Sequence, residues 1–159
     1  MSTTTSGKIL VSLRPARIED STIIFRWNND PLSREMSTYM EPIDWEEHCQ
    51  WLSLRLQPSY PESLWIAEDA TGSPVATGRL LSAPKNLGVI SIVVAPKSRR
   101  QGIGKSVIRL LADKVNNMGR TPTAIIKSKN KASIHAFTAN GFALFRRKIN
   151  DPNLMEFRA

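Results

Sequence analysis

The sequence predicts an α/β fold in a single domain spanning residues 9–159, and three observations carry the prediction. Short runs of β-branched and apolar residues alternate with longer stretches whose apolar residues recur at helical spacing. Turns rich in Gly, Asn, Asp and Pro separate these runs. A chain of 159 residues, 41% hydrophobic and 23% charged, suits one core and is short for two.

Residues 1–8 are polar, lack the charged-then-apolar order of a secretion signal, and read as a flexible tail. Residues 9–13 read as a first strand before Pro15. Asp20 is placed to cap a helix over 21–28 with Ile23, Ile24 and Trp27 on one face, closed by Asn28-Asn29-Asp30-Pro31, and a shorter helix follows. Asp44-Trp45-Glu46-Glu47 pairs a capping acceptor with a Glu three residues on and opens a helix to about residue 56, with Trp45, Cys49, Leu52 and Leu56 expected on its buried face. Residues 63–68 and 75–81 read as a hairpin turning on Gly72, and the nearly continuous apolar run 89–94 as a central strand. Ile103, Val107, Ile108, Leu111 and Val115 set a helix over 102–117 that stops at Gly119. Residues 123–127 read as a strand, 132–139 as a helix ended by Asn140-Gly141, and 142–149 with 154–157 as a closing hairpin. Trp27, Trp45, Trp51 and Trp65 fall in apolar-periodic segments and are expected as core or groove walls.

The net charge of +8 favours a polyanionic partner or a phosphorylated ligand. No stretch approaches the ~18 apolar residues of a membrane span, so no insertion into a membrane is expected. A single cysteine, Cys49, excludes an internal disulfide and a cysteine-rich metal cage; no metal is expected, and a reducing, cytoplasmic location is.

The positive charge has a local centre. Lys97, Arg99, Arg100 and Lys105 crowd around Gly102 and Gly104, between the apolar run 89–94 and the helix from 102. The first N–H groups of a helix lack intrahelical acceptors and lie at the positive end of its dipole, so a turn of this kind favours phosphate oxygens. A Walker A loop would need Gly where Arg99 stands, and a dinucleotide fingerprint would need Gly or Ala where Val107 stands. A nucleic-acid-binding module with a CoA-like regulatory site is the reading from another class. Clustering of the charge at one helix N-terminus, with no DNA or RNA motif, makes nucleic acid an unlikely partner.

Arg99-Arg100-Gln101-Gly102-Ile103-Gly104 resembles the pyrophosphate turn Arg/Gln-x-x-Gly-x-Gly/Ala of GNAT acetyltransferases. The segment Asn130 to Phe142 resembles that family's Asn-x-x-Ala/Ser-x-x-x-aromatic-x-x-x-Gly-Phe pattern. The resemblance implies a mixed, mostly antiparallel sheet of about seven strands, splayed between its two central strands and flanked by about four helices. It implies acetyl-CoA as cosubstrate and acetyl transfer to an amine. By position, Ile92, Val93 and Val94 would offer backbone groups to the pantetheine arm. The backbone of Gln101, Gly102, Ile103, Gly104 and Lys105 would hold the pyrophosphate, with Ser106 in the same turn and charge from Arg99, Arg100 and Lys105. Asn130 would contact the pantetheine, and Ser133 and Phe137 would line the channel's far side. A backbone N–H near Val93 or Val94 would stabilise the oxyanion.

Many family members carry a tyrosine acid where this chain has Phe137. For the base, Glu68, Ser91, His135 and His48 qualify by residue type, and no spacing selects among them. Arg26-Trp27-Asn28-Asn29-Asp30-Pro31 and the stretch Pro42 to Leu52 resemble the branch that acetylates nucleotide-linked amino sugars on the route to pseudaminic acid, and also the acetyltransferases of ribosomal-protein N-termini. That likeness implies acceptor contacts from Arg26, Trp27, Asn28, Tyr39 and His48, and a small-molecule amine or nucleotide-sugar substrate. Pairing of relatives through sheet edges or the C-terminal region makes a homodimer an option.

Overall fold

A computed structural model describes residues 9–60 and 63–159, and the tail expected over residues 1–8 lies outside the described residues. Among the described residues seven strands form one mixed sheet: β1 (Ser12–Pro15), β2 (Leu64–Glu68), β3 (Pro74–Leu81), β4 (Leu87–Val94), β5 (Thr121–Lys127), β6 (Ala143–Arg147) and β7 (Leu154–Arg158). Their order is β1-β2-β3-β4-β5-β7-β6, so the apolar run through residues 89–94 is central, as its composition requires. Five α-helices accompany them: α1 (Ser21–Asn28), α2 (Pro31–Met36), α3 (Trp45–Arg55), α4 (Ile103–Asn117) and α5 (Lys131–Thr138). The first strand starts later than its sequence suggests, because pairing with β2 begins at Ser12; Pro15 is tolerated on this edge strand, where no neighbour needs its missing N–H.

Side chains alternate between two cores. On one face Trp65, Ala67, Ala76 and Ile90 pack with Ile103, Val107, Ile108, Leu111 and Val115 of α4 and with Phe137. On the other, Leu64 and Ile66 pack with Ile24 of α1 and Leu52 of α3. The period of two sends successive residues of β2 to opposite layers. Helix α4 lies so close to the sheet that a Cβ on Gly88 would stand 2.4 Å from Val115 Cγ1.

Two local expectations are corrected. Asp44 caps α3 as expected, accepting from the amides of Glu46 (2.9 Å) and Glu47 (3.4 Å), but the buried face is His48 and Leu52. Trp45 is 44% exposed and packs edge-to-face on Phe25, because α3 presents its i, i+4 pair 48/52 to α1 and the sheet. Asp20 precedes α1 but makes no side-chain cap bond; its carboxylate takes a bidentate pair from Arg14 (2.8 Å each) and the Arg17 amide (2.8 Å).

The central seam is short. Strands β4 and β5 run parallel and pair only through Leu87–Thr121, Gly88–Pro122 and Val89–Thr123. Beyond Val89, β4 stays paired to β3 through Val94, while β5 pairs with β7 through Lys127. The sheet therefore opens into a slot between residues 90–94 and the C-terminal half of β5.

Candidate functional site

Ladder parity decides which backbone groups face the slot. The Ala95 amide donates to Val75 O at 2.8 Å, which makes 95/75 a hydrogen-bonded antiparallel pair. Such pairs recur every second residue, so Val93 and Ser91 spend their N–H and C=O groups on Thr77 and Arg79 of β3. The N–H and C=O of Ile92 and Val94 point the other way, into the slot. This corrects the assignment of Val93: its backbone is committed to β3, and Val94 and Ile92 alone of the three can offer an amide to an oxyanion or a pantetheine amide. From the opposite wall, the Ala159 amide donates to Pro122 O at 3.0 Å, and the same parity turns the backbone of Ile125 and Lys127 toward the slot.

The slot leads to the start of α4. Gly102 is its N-cap at φ 78°, the left-handed region where a Cβ would cost about 1–2 kcal/mol. Arg100 also turns left-handed, at φ 60°. A Cβ on Gly104 would stand 3.5 Å from Ile92 Cδ1 and 3.6 Å from Val94 Cγ2, so the helix start lies over the strand that borders the slot. The amides of Ile103, Gly104 and Lys105 fall in the first turn, where no intrahelical acceptor exists. Ser106 lies one residue too far: its amide bonds Gly102 O at 3.3 Å and its hydroxyl the same oxygen at 3.4 Å. Arg100, Gln101 and Lys105 are exposed, and the Ile103 side chain is buried in the core. Asn140 of the second motif ties the two helices together by donating to Lys105 O at 3.1 Å.

Several sequence-predicted site residues are occupied elsewhere. Arg99 ion-pairs with Asp30 at 2.7 Å and reaches Ser33 Oγ at 3.3 Å, anchoring α2 to the turn. Burial opposes the charge on Asp30, but the bond and charge of Arg99 together with the Ser33 and Leu32 amides outweigh it and hold the carboxyl below its ordinary range. Glu68 is the ion-pair partner of Arg14, which also holds Asp20. His48 is 1% exposed; its Nε2 lies 2.9 Å from Ser21 O, which makes Nε2 the protonated nitrogen, and its ring sits among Phe25, Trp45 and Trp51. Burial lowers its pKa, so it is a neutral core residue and not an acceptor contact. Asn130 caps α5 through Oδ1, accepting from the Ser133 amide at 3.2 Å, which leaves its amide nitrogen to offer. Phe137 is 3% exposed and packs edge-to-face on Phe142 at 5.0 Å. His135 and Arg26 are exposed, Tyr39 is 83% exposed, and Trp27 and Asn28 are half-buried, with Asn28 O taken by Arg34 Nε at 2.6 Å.

Sequence reasoning passed over Arg79. It stands on β3 beside Ser91, on the face covered by α1 and α3, with its guanidinium carbon 5.6 Å from the Trp51 ring centroid. Arg55 stacks on the same ring at 5.1 Å. Burial, then Arg55, then Arg34 push the Arg79 pKa down to about 10. The legible signal was one arginine inside the otherwise uncharged strand Val75-Ala-Thr-Gly-Arg-Leu-Leu81.

Among the described residues, no three His, Cys, Asp or Glu side chains gather as a metal site, and no helix is long and apolar enough to cross a membrane. The profile of the Acetyltransferase (GNAT) family matches residues 23–142. No curated protein sequence matches the chain. Among solved structures, a domain from Methanocaldococcus jannaschii superposes with TM-score 0.79 at 20% identity, over 96% of this chain and 99% of that one. Spermidine N-acetyltransferase from Vibrio cholerae, solved with CoA and spermine, gives 0.78 at 17% identity, over 93% and 92%. An N-acetyltransferase from Staphylococcus aureus gives 0.77 at 20% identity, over 94% and 98%.

Proposed function

Because the chain belongs to the acetyltransferase (GNAT) family, we propose that this N-acetyltransferase binds acetyl-CoA along the β4–β5 slot and transfers its acetyl group to the primary amine of a small molecule. The observation that carries this reading is the alignment of two features. The backbone groups of Ile92 and Val94 face the slot, and the slot ends at the first-turn amides of α4. One holds an extended amide-bearing arm as a strand would; the other suits a diphosphate. Gly104 fits the same reading, because a bulky side chain there would extend from α4 toward Ile92 and Val94, where the slot ends.

The chemistry follows from these groups. The neutral amine attacks the thioester carbonyl, a C–N bond forms, and the oxygen gains negative charge to which the Val94 N–H donates a hydrogen bond. Collapse breaks the C–S bond and releases the thiolate, while the nitrogen gives up its proton. Phe137 has no hydroxyl to donate, so the thiolate takes its proton from water. Ser91, beside the slot and on the acceptor face, relays the amine proton to solvent; Glu68 and His48 are engaged elsewhere. This machinery orients reactants more than it moves protons, which suits an amine of low basicity. The amino group of a nucleotide-linked amino sugar is the acceptor we favour: electron-withdrawing ring oxygens lower its basicity, and its diphosphate complements the charge of +8. The single cysteine fits a cytoplasmic enzyme, where acetyl-CoA is at hand.

Calorimetric titration with acetyl-CoA and CoA tests the reading, with Gly104→Trp as the blocked variant. Saturable binding by wild type and none by a folded Gly104→Trp is expected. Failure of folded wild type to bind either compound would overturn the assignment.

A further inference from the structure

The sheet face opposite α4 carries arginines that have no counter-charge among the described residues. Arg79 projects from β3 between Leu64 of β2 and Ser91 of β4, under α3. Arg55, one turn beyond Trp51 on α3, lies against the same indole, and its Nε is buried with no hydrogen-bond partner among the described residues. Among the described residues Arg55 Nη1 reaches only Ser63 Oγ, at 3.5 Å. Among the described residues Arg79 has no hydrogen bond or ion pair, whereas Arg14, Arg99, Arg146 and Arg158 each hold a carboxylate. Arg34 adds a third charge to the neighbourhood, although its own donors are spent on the carbonyls of Asn28, Tyr39 and Glu41 and on Ser37 Oγ.

A fold does not gather like charges under a helix without cost. Each half-buried guanidinium loses hydration, and the two repel one another beside a single indole ring. The arrangement is repaid when an anion arrives, because two planar guanidinium forks beside one ring offer several donors to carboxylate or phosphate oxygens. The location fixes the anion's role. Arg79 pairs with Ser91, and Ser91 lies between Ile90 and Ile92 where the slot opens. One to two strand spacings, about 5–10 Å, separate the guanidinium from the slot.

We propose that Arg79 and Arg55, both against Trp51, form the acceptor subsite and bind an oxyanion, carboxylate or phosphate, that the acceptor carries within about 5–10 Å of its reactive amine. The proposal rests on the acetyltransferase reading above and narrows its substrate class: the enzyme takes anionic amines and rejects polyamines.

The test is steady-state kinetics of thiol release on the full chain, with matched acceptors. Glucosamine 6-phosphate is set against glucosamine and a UDP-linked amino sugar against the free sugar, while β-alanine is set against ethylamine; spermidine is the polycationic member. The phosphate and carboxylate arms separate the two sources of the oxyanion. In wild type at least one anionic acceptor should exceed its neutral partner by about 30-fold or more in kcat/KM, the range for a desolvated charge pair. Arg79→Gln should erase most of that ratio through KM, and Arg79→Glu should turn preference toward spermidine. Acetyl-CoA titration and thermal unfolding of each variant report whether slot and fold are intact. A wild-type ratio near one in every arm, a preference for spermidine, or an anionic preference unmoved in an Arg79→Gln protein that still binds acetyl-CoA overturns the proposal. Loss of acetyl-CoA binding in wild type would instead remove the transferase reading, and this proposal with it.

Discussion

The same small substitution at two glycines of one helix–strand interface should move stability in opposite directions. At Gly88 an added Cβ would meet Val115 Cγ1 at 2.4 Å, Cγ2 at 2.7 Å and Cβ at 3.1 Å. Rotating the valine exchanges its methyls but cannot withdraw its Cβ, so α4 must lift from β4. Overpacking of this kind costs about 1–3 kcal/mol, offset by roughly 0.5–1 kcal/mol from the lost flexibility of glycine. Gly88→Ala should therefore lose about 1–2 kcal/mol, a fall of about 2–8 °C in midpoint for a chain of this size. At Gly104 the new Cβ meets its neighbours at 3.5 and 3.6 Å, ordinary contact, and gains up to about 1 kcal/mol of helix propensity. Gly104→Ala should melt about 2–4 °C higher while binding acetyl-CoA more weakly, since its methyl narrows the approach to the first-turn amides. Thermal unfolding by circular dichroism reads the first effect and calorimetry the second. Combining Gly88→Ala with Val115→Ala should recover stability relative to the sum of the two single changes. A Gly88→Ala protein as stable as wild type would refute the packing argument.

Three further outcomes follow from groups named above. His48 is buried neutral, so the unfolded chain binds its proton more readily; stability should be full above about pH 6.5 and decline as pH falls below it, a slope that His48→Gln should flatten in denaturant titrations. Glu156 is 1% exposed and held by Arg146 (2.8 Å), Arg158 (2.8 Å) and Lys148 (3.7 Å); burial opposes its charge, and Arg146 and Arg158 together outweigh it and lower its pKa. Its contribution should be full above the ordinary carboxyl value and fade as pH falls through its depressed one, and Glu156→Gln should cost about 2 kcal/mol at neutral pH by urea unfolding. Gly102→Ala should cost about 1–2 kcal/mol for its left-handed backbone, and Gly102→Asn less, in the same assay.

The elements legible in the sequence were those fixed by local rules. Helix α4, from the spacing of Ile103, Val107, Leu111 and Val115, and β4, from its unbroken apolar run, needed no knowledge of distant chain. The Asp44 cap was equally local. Misplaced side chains have partners far away: Arg99 meets Asp30, 69 residues earlier, and Arg14 meets Glu68, 54 residues later. A carboxylate at a strand end looks like a free base until the arginine opposite it is known. His48 shows the same limit, since only the packing of α1 on α3 decides that it is enclosed. Choosing among Ile92, Val93 and Val94 required the register with β3, which no local spacing encodes.

The alternation along β4 gives the strand two unlike edges, and isotope exchange should read it residue by residue. In free protein the amides of Ser91 and Val93, bonded to β3, should retain hydrogen in heavy water, while those of Ile92 and Val94, one residue away, should lose it quickly. A ligand seated as an eighth strand would slow the fast pair and leave the slow pair as it was. Occupancy of the slot would then be visible as the disappearance of a two-residue rhythm in a single strand.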